Sequence, residues 1–140
     1  MVLSDIVKLK ARVILRIFKT KPFSRFAKRE RITDAMLYEA VERAEKGTLD
    51  ADLGGNIIKQ RVAREGQGRS KGYRVLIAVR IKKRYVFMHG FAKNEKSNIE
   101  NDELDALKIY GAAWLNADEK IINISLKEGK LEEIDYESKN

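Results

Sequence analysis

The sequence predicts an α+β fold in which an N-terminal strand and a helical hairpin pack on a small, mainly antiparallel sheet, with further helices toward the C-terminal end. Three observations predict it. A β-branched apolar run, Val13 to Phe18, precedes two stretches with apolar residues at helical spacing. Residues 57–91 hold three strand-length runs, and residues 101–127 return to helical spacing.

Val13 to Phe18 reads as the first strand, ending in the turn before Pro22, because a residue preceding proline is driven toward extended backbone. Pro22 then suits the first turn of a helix, where its missing N–H has no partner to lose. Phe23, Phe26 and Ala27 recur at helical spacing. Thr33 opens a stronger helix with Ala35, Met36, Leu37, Ala40, Val41 and Ala44 as its apolar face, and Gly47 stops it. Lys28, Arg29, Arg31, Glu39, Glu42 and Glu45 lie mostly outside that stripe and read as a solvated face.

A turn over Asp50 to Gly55 leads into an alternating strand, with Ile57, Lys59, Arg61 and Ala63 on one face and Ile58, Gln60, Val62 and Arg64 on the other. In the next strand Tyr73, Val75, Ile77 and Val79 suit the helices, which leaves Arg74, Leu76, Ala78 and Arg80 opposite. Lys82 and Lys83 turn into Arg84 to Phe91, a run so apolar on both faces that its parity is open and its place central. Asn101 to Trp114 carries Leu104, Leu107, Tyr110, Ala113 and Trp114 on one helical face, with acidic residues at its positive N-terminal end. Asn116 with Glu119 resembles a capping box opening Ile121 to Lys127, Gly129 ends that helix, and Leu131 to Tyr136 reads as a short edge strand.

The 140 residues fit one domain spanning 1–140, with residues 1–12 as a flexible or helical extension in which Ser4 and Asp5 are candidate caps. A net charge of +8 points to a polyanionic or acidic partner, and by itself does not choose among RNA, DNA, an anionic membrane and an acidic protein. The absence of cysteine excludes disulfides, thiolate nucleophiles and cysteine-rich zinc sites, and agrees with a reducing cytoplasm. One histidine, His89, is too few for a histidine-based metal site. Lysine and arginine scattered through Met1 to Ile17 break any apolar core that a signal peptide or membrane span needs, so a cytoplasmic protein with no membrane partner is expected.

Charge concentrates between Lys59 and Arg74, a basic strand, a loop with Gly66, Gly68 and Gly72, and the start of a second strand. The loop lacks the spacing of a nucleotide-binding fingerprint, and the acidic residues lack metal-ligand spacing, so no cofactor and no metal are expected. Cutting RNA without metal requires activating the ribose 2′-hydroxyl, stabilising a doubly charged phosphorane and protonating the leaving 5′-oxygen. Arginine and lysine aimed at the phosphate supply the electrostatic part. Lys59, Arg61 and Arg74 lie on neighbouring strands of the simplest hairpin and are suited to converge on one phosphate; the bland alternative is solubilising or RNA-tethering charge.

Lys93 is the fourth cation of this set, and Glu95 an acid/base candidate from the same loop. His89 is either a general acid or base, or a hydrogen-bonded structural histidine. Tyr73, Tyr85, Phe87 and Phe91 are candidates for stacking on bases, with a core role the competing reading for Tyr73 and Phe87. Arg64, Arg69 and Lys71 in the glycine-rich connection suit contacts to an RNA backbone.

Several stretches in order, RIFKTKPFSRFA from Arg16, DADLGG from Asp50, RVAR from Arg61, the Gly66 to Gly68 and Gly72 to Arg74 segments, and GFAKNE from Gly90, are similar to the RelE-like toxins of bacterial toxin–antitoxin systems, in the branch related to HigB. The resemblance covers roughly residues 14–136. It implies a RelE-like fold and a ribosome-dependent endoribonuclease that cuts translated mRNA. It also implies neutralisation by a cognate antitoxin, of helix-turn-helix type, through which alone operator DNA would be reached. Arg74 occupies the place of the family's arginine after the loop, Lys59 and Arg61 match its preceding basic strand, and Lys93 and Lys96 its C-terminal basic motif. Where some relatives carry a catalytic tyrosine or histidine this chain has Ile99, which leaves His89 to compensate from the neighbouring strand. Two other readings stay open: a gyrase-poisoning toxin on the same scaffold, and a noncatalytic basic nucleic-acid-binding module.

Overall fold

Thr20 ends the first strand and begins the first helix. It closes β1 (Arg16–Thr20), donates its hydroxyl to the Phe87 carbonyl at 3.2 Å, and accepts from the Phe23 amide at 3.4 Å as the cap of α1 (Lys21–Glu30). Pro22 lies in the first turn of that helix, as its fixed φ requires. The computed structural model describes residues 15–64, 68–80, 83–93 and 99–135, with residues 68–70 by their backbone. The expected extension over 1–12, the start of the first strand at Val13, Lys82, Glu95, Lys96 and the side chain of Arg69 lie outside the described residues.

Thr33 caps α2 (Asp34–Glu45) by accepting from the Met36 amide at 3.2 Å. Six strands follow the order β2-β3-β4-β5-β1-β6, with β2 (Ala51–Asp52), β3 (Ile57–Arg64), β4 (Gly68–Val79), β5 (Arg84–Ala92) and β6 (Leu131–Glu133). All neighbours are antiparallel except β1 and β5, which run parallel with Arg16 opposite Arg84. The architecture is therefore α+β, and the doubly apolar β5 sits between β4 and β1 as its composition requires.

Alternation sorts the core into two layers. On one face, Ile58, Val62, Tyr73, Val75 and Ile77 meet Phe23, Ala27, Leu37, Ala40 and Val41 of the hairpin. On the other, Phe18, Ile57, Leu76, Ala78, Val86 and Met88 meet Leu115 and Ile122 of α3 (Asn101–Asn116) and α4 (Glu119–Lys127). Gly90 lets α1 approach closely, because a side-chain carbon there would overlap the Phe26 ring.

Three local expectations are corrected. Leu104, Leu107 and Trp114 of α3 pack against the second core layer as expected, but the fully inward positions are Gly111 and Leu115, whereas Ala113 is exposed and Tyr110 is 49% exposed. Gly111 has no side chain, so the helix backbone settles on Ala78 and Ile57, and a Cβ there would lie 3.1 Å from each; this rotates Tyr110 outward. Asn116 does not cap α4. It ends α3 and donates to the Ala112 carbonyl at 2.9 Å, and because Ala117 has extended ψ the cap falls to Asp118, which accepts from the Ile121 amide at 2.9 Å. Glu45 is no mere solvated charge: it accepts from the buried Tyr85 hydroxyl and pairs with Arg80 at 3.1 Å.

Arg84 opens the apolar β5 yet is only 1% exposed. Its Nη1 donates to the carbonyls of Trp114 (3.0 Å), Leu115 (3.2 Å) and Ala117 (2.5 Å), and its Nη2 to Glu119 at 3.1 Å. The last carbonyls of a helix lack partners within the helix, so one guanidinium satisfies the end of α3 and ties it to the sheet.

Candidate functional site

Cross-strand register fixes which cations meet. Arg61 of β3 lies opposite Arg74 of β4, and Arg74 lies opposite Phe91 of β5. The adjacent row runs Lys59, Leu76, His89. Alternation puts both rows on the sheet face away from the hairpin, and α3 meets that face one row further on, at Ile57 and Ala78. At the other end the Lys93 amide donates to the Gly72 carbonyl at 3.1 Å, so the exposed Lys93 stands opposite the residue two before Arg74.

Thus Lys59, Arg61, Arg74, His89 and Lys93 fall in three consecutive rows of one face. They differ in exposure. Lys59 and His89 are half-buried, the Arg61 side chain is 47% exposed, and Arg74 is 6% exposed. Burial strips water from the Arg74 guanidinium and Arg61 adds positive charge opposite it, so its pKa falls below the usual arginine value; Asp50 acts in the opposing sense. An arginine remains cationic at neutral pH regardless.

Sequence reasoning passed over Asp50 and Gln60. The Asp50 carboxylate accepts from the Arg61 amide and lies 3.5 Å from Arg61 Nε. Its own amide donates to Gln60 Oε1 at 2.9 Å, while Gln60 Nε2 donates to the carbonyls of Ala40 (3.0 Å) and Thr48 (3.2 Å). Gln60 is fully buried, so its amide fixes the loop after α2 and thereby the carboxylate on Arg61. The signal was present as a lone amide between Ile58 and Val62 on the strand face that meets the hairpin. Arg43, paired with Glu39 at 2.8 Å, donates to the Arg61 carbonyl and holds the same strand from the hairpin side.

Arg64 is separated from this face. Its guanidinium stacks over Tyr73 at 5.5 Å, on the hairpin side, next to a register shift between Val62 and Arg64. Lys71 is exposed and shares the strand parity of Tyr73. The four strand aromatics offered for base stacking are all buried: Tyr73, Tyr85, Phe87 and Phe91 are at most 6% exposed. Strand aromatics fill both core layers here, and none presents a free ring.

His89 borders a cavity of about 560 Å³ between β5 and α3, lined also by Ile99, Glu103, Ala106, Leu107, Ile109 and Tyr110. A second register shift, between Leu76 and Ile77, brings His89 onto this face together with Met88. Among the described residues no cluster of histidine, cysteine, aspartate or glutamate is arranged to hold a metal ion, and no helix is long and apolar enough to cross a membrane.

A basic α+β protein with an arginine pair on one sheet face is the class that these features define. Residues 15–134 match the family described as the RelE toxin of the RelE / RelB toxin-antitoxin system, and the chain belongs to that family. It is a toxin of the toxin–antitoxin class, whose implied partner is a cognate antitoxin. No curated protein matches the chain.

Proposed function

We propose that this protein is a ribosome-dependent, metal-independent endoribonuclease that cuts translated mRNA by attack of a ribose 2′-hydroxyl on the adjacent phosphate. The observation that carries the reading is the Arg61–Arg74 pair, two guanidiniums opposed on neighbouring strands with Lys59 one row away. Cations held in place by a sheet stabilise the extra negative charge of the phosphorane without reorganising during the reaction. Arg61 and Arg74 bind the non-bridging oxygens, Lys59 and Lys93 bind the phosphates on either side, and His89 exchanges the proton with the ribose or the leaving oxygen. Arg64, Arg69, Lys71 and Lys96 hold the RNA backbone away from the cut. The ribosome supplies the positioning of mRNA that so small a face does not.

A helix-turn-helix antitoxin that carries the complex to operator DNA, a place in the branch related to HigB, a single domain over 1–140 and a cytoplasmic setting belong to the same reading. The test is primer-extension mapping of transcript ends after brief expression, comparing the parent with Arg74→Ala. New ends inside translated frames that vanish in the variant are expected. Unchanged ends accompanied by induction of the DNA-damage response would overturn the reading in favour of gyrase poisoning.

A further inference from the structure

We propose that the cavity between β5 and α3 is a nucleobase subsite, which receives the base next to the cleaved phosphate and prefers bases carrying an exocyclic amine. The proposal rests on the reading of the Lys59, Arg61 and Arg74 face as the RNA-cleaving site. Position is the first argument. His89 belongs both to the cavity wall and to the row beside the Arg61–Arg74 row, so it is the diagonal neighbour of Arg74, about 7–8 Å away along such a sheet. A phosphate held at the arginines therefore brings its attached nucleoside to the mouth of the cavity.

The second argument is surface chemistry. RNA readers splay bases onto aromatic rings, and all four strand aromatics near the cations are buried, whereas Tyr110 on the cavity wall is 49% exposed and Ile109 is 76% exposed. Ile99 and Leu107 complete an apolar wall, and about 560 Å³ lies within the range of small-ligand sites. Charge gives the third argument. Glu103 is the one acidic residue of the lining, and a carboxylate repels a phosphate and has lone pairs to accept a hydrogen bond from an amine. The polyanion is thus oriented with its backbone on the arginines and its base toward Glu103. Adenine, cytosine and guanine offer an exocyclic amine to that carboxylate, while uracil offers only its N3–H, flanked by two carbonyl oxygens that the carboxylate repels.

His89 is the sole histidine, so its imidazole proton resonances report the cavity without assignment of the rest of the spectrum. The full chain is titrated with AMP, CMP, GMP, UMP and ribose 5-phosphate. The three amine-bearing nucleotides are expected to shift His89 with about tenfold higher affinity than UMP or ribose 5-phosphate. Ala106→Trp, at an exposed helix position, fills the cavity and abolishes the shift, and Glu103→Gln erases the discrimination against UMP. Ribose 5-phosphate acting as strongly as AMP, or nucleotide binding untouched in Ala106→Trp, overturns the subsite. So does an Ala106→Trp variant that weakens only antitoxin neutralisation, since the occupant is then a protein side chain. Binding is read without ribosomes, so a failure of mRNA cleavage leaves this result standing. Conversely, a cleaving Ala106→Trp protein with an unchanged base preference beside the cut sinks the subsite alone.

Discussion

Asp50 holds Arg61 by a backbone hydrogen bond and a 3.5 Å ion pair, and so places one negative charge beside two arginines that face each other across β3 and β4. Like charges directly opposite on a sheet destabilise it. Asp50→Asn keeps the shape and removes the offset. The expected outcome is a loss of about 1 kcal/mol in urea titrations at low salt, shrinking toward zero in 1 M salt where the screening length is about 3 Å.

Lys59 and Arg64 sit on opposite faces of β3, so their substitutions separate the chemical step from RNA tethering. Lys59→Gln is expected to lower the single-turnover cleavage rate on programmed ribosomes by about tenfold or more. Arg64→Gln, which removes a guanidinium stacked on Tyr73, is expected to leave that rate unchanged and reduce the salt slope of RNA binding by about one.

Arg84→Met removes a buried cation and leaves the carbonyls at the end of α3 without their donor. Denaturant unfolding should show a loss of about 1–3 kcal/mol, the range for leaving buried acceptors without their donors. The parent side chain contributes less than that figure, since the loss includes the penalty of orphaned carbonyls.

Gly90→Ala forces a methyl group into the Phe26 ring and is expected to cost about 1–3 kcal/mol. Combining it with Phe26→Leu should cost less than the two single changes together, because both act on one contact. Thermal melts of the four proteins complete that cycle.

Tyr85 is buried and donates its hydroxyl to Glu45, and both desolvation and the neighbouring carboxylate raise its pKa well above the usual phenol value of 10.0. The protonated form is the one that the fold favours. Its contribution is full below about pH 10, and it is lost as pH rises toward the folded value, at about 1.4 kcal/mol per pH unit. Tyr85→Phe should flatten the alkaline limb of stability measured by urea titration between pH 9 and about 11.5.

Much of this was legible from the chain alone. Period-two alternation put Lys59 and Arg61 on one face of their strand and Arg74 on the side away from the helices, and Thr33 and Pro22 marked the helix starts that are found. Partners of strands were not legible, since alternation does not say that β1 runs parallel to β5. The face of His89 stayed open because a register shift, which leaves no mark in composition, decides it. The turn of α3 hung on Gly111, where close packing selects the residue that an apolar pattern discounts. Asp50 and Gln60 read as ordinary polar residues until their mutual hydrogen bonds were seen.

The strand order carries a consequence for synthesis. β1 is made first but lies between β5 and β6, with partners 68 and about 115 positions downstream in sequence, as in Arg16 to Arg84 and Phe18 to Glu133. As the chain leaves the ribosome, β1 waits with both edges bare until residues 84–92 emerge, and with one edge bare until residues 131–133 do. The arginine face is assembled from β3 and β4, whose residues end at Val79, whereas the native neighbours of β1 are complete only once residues 131–133 have been made.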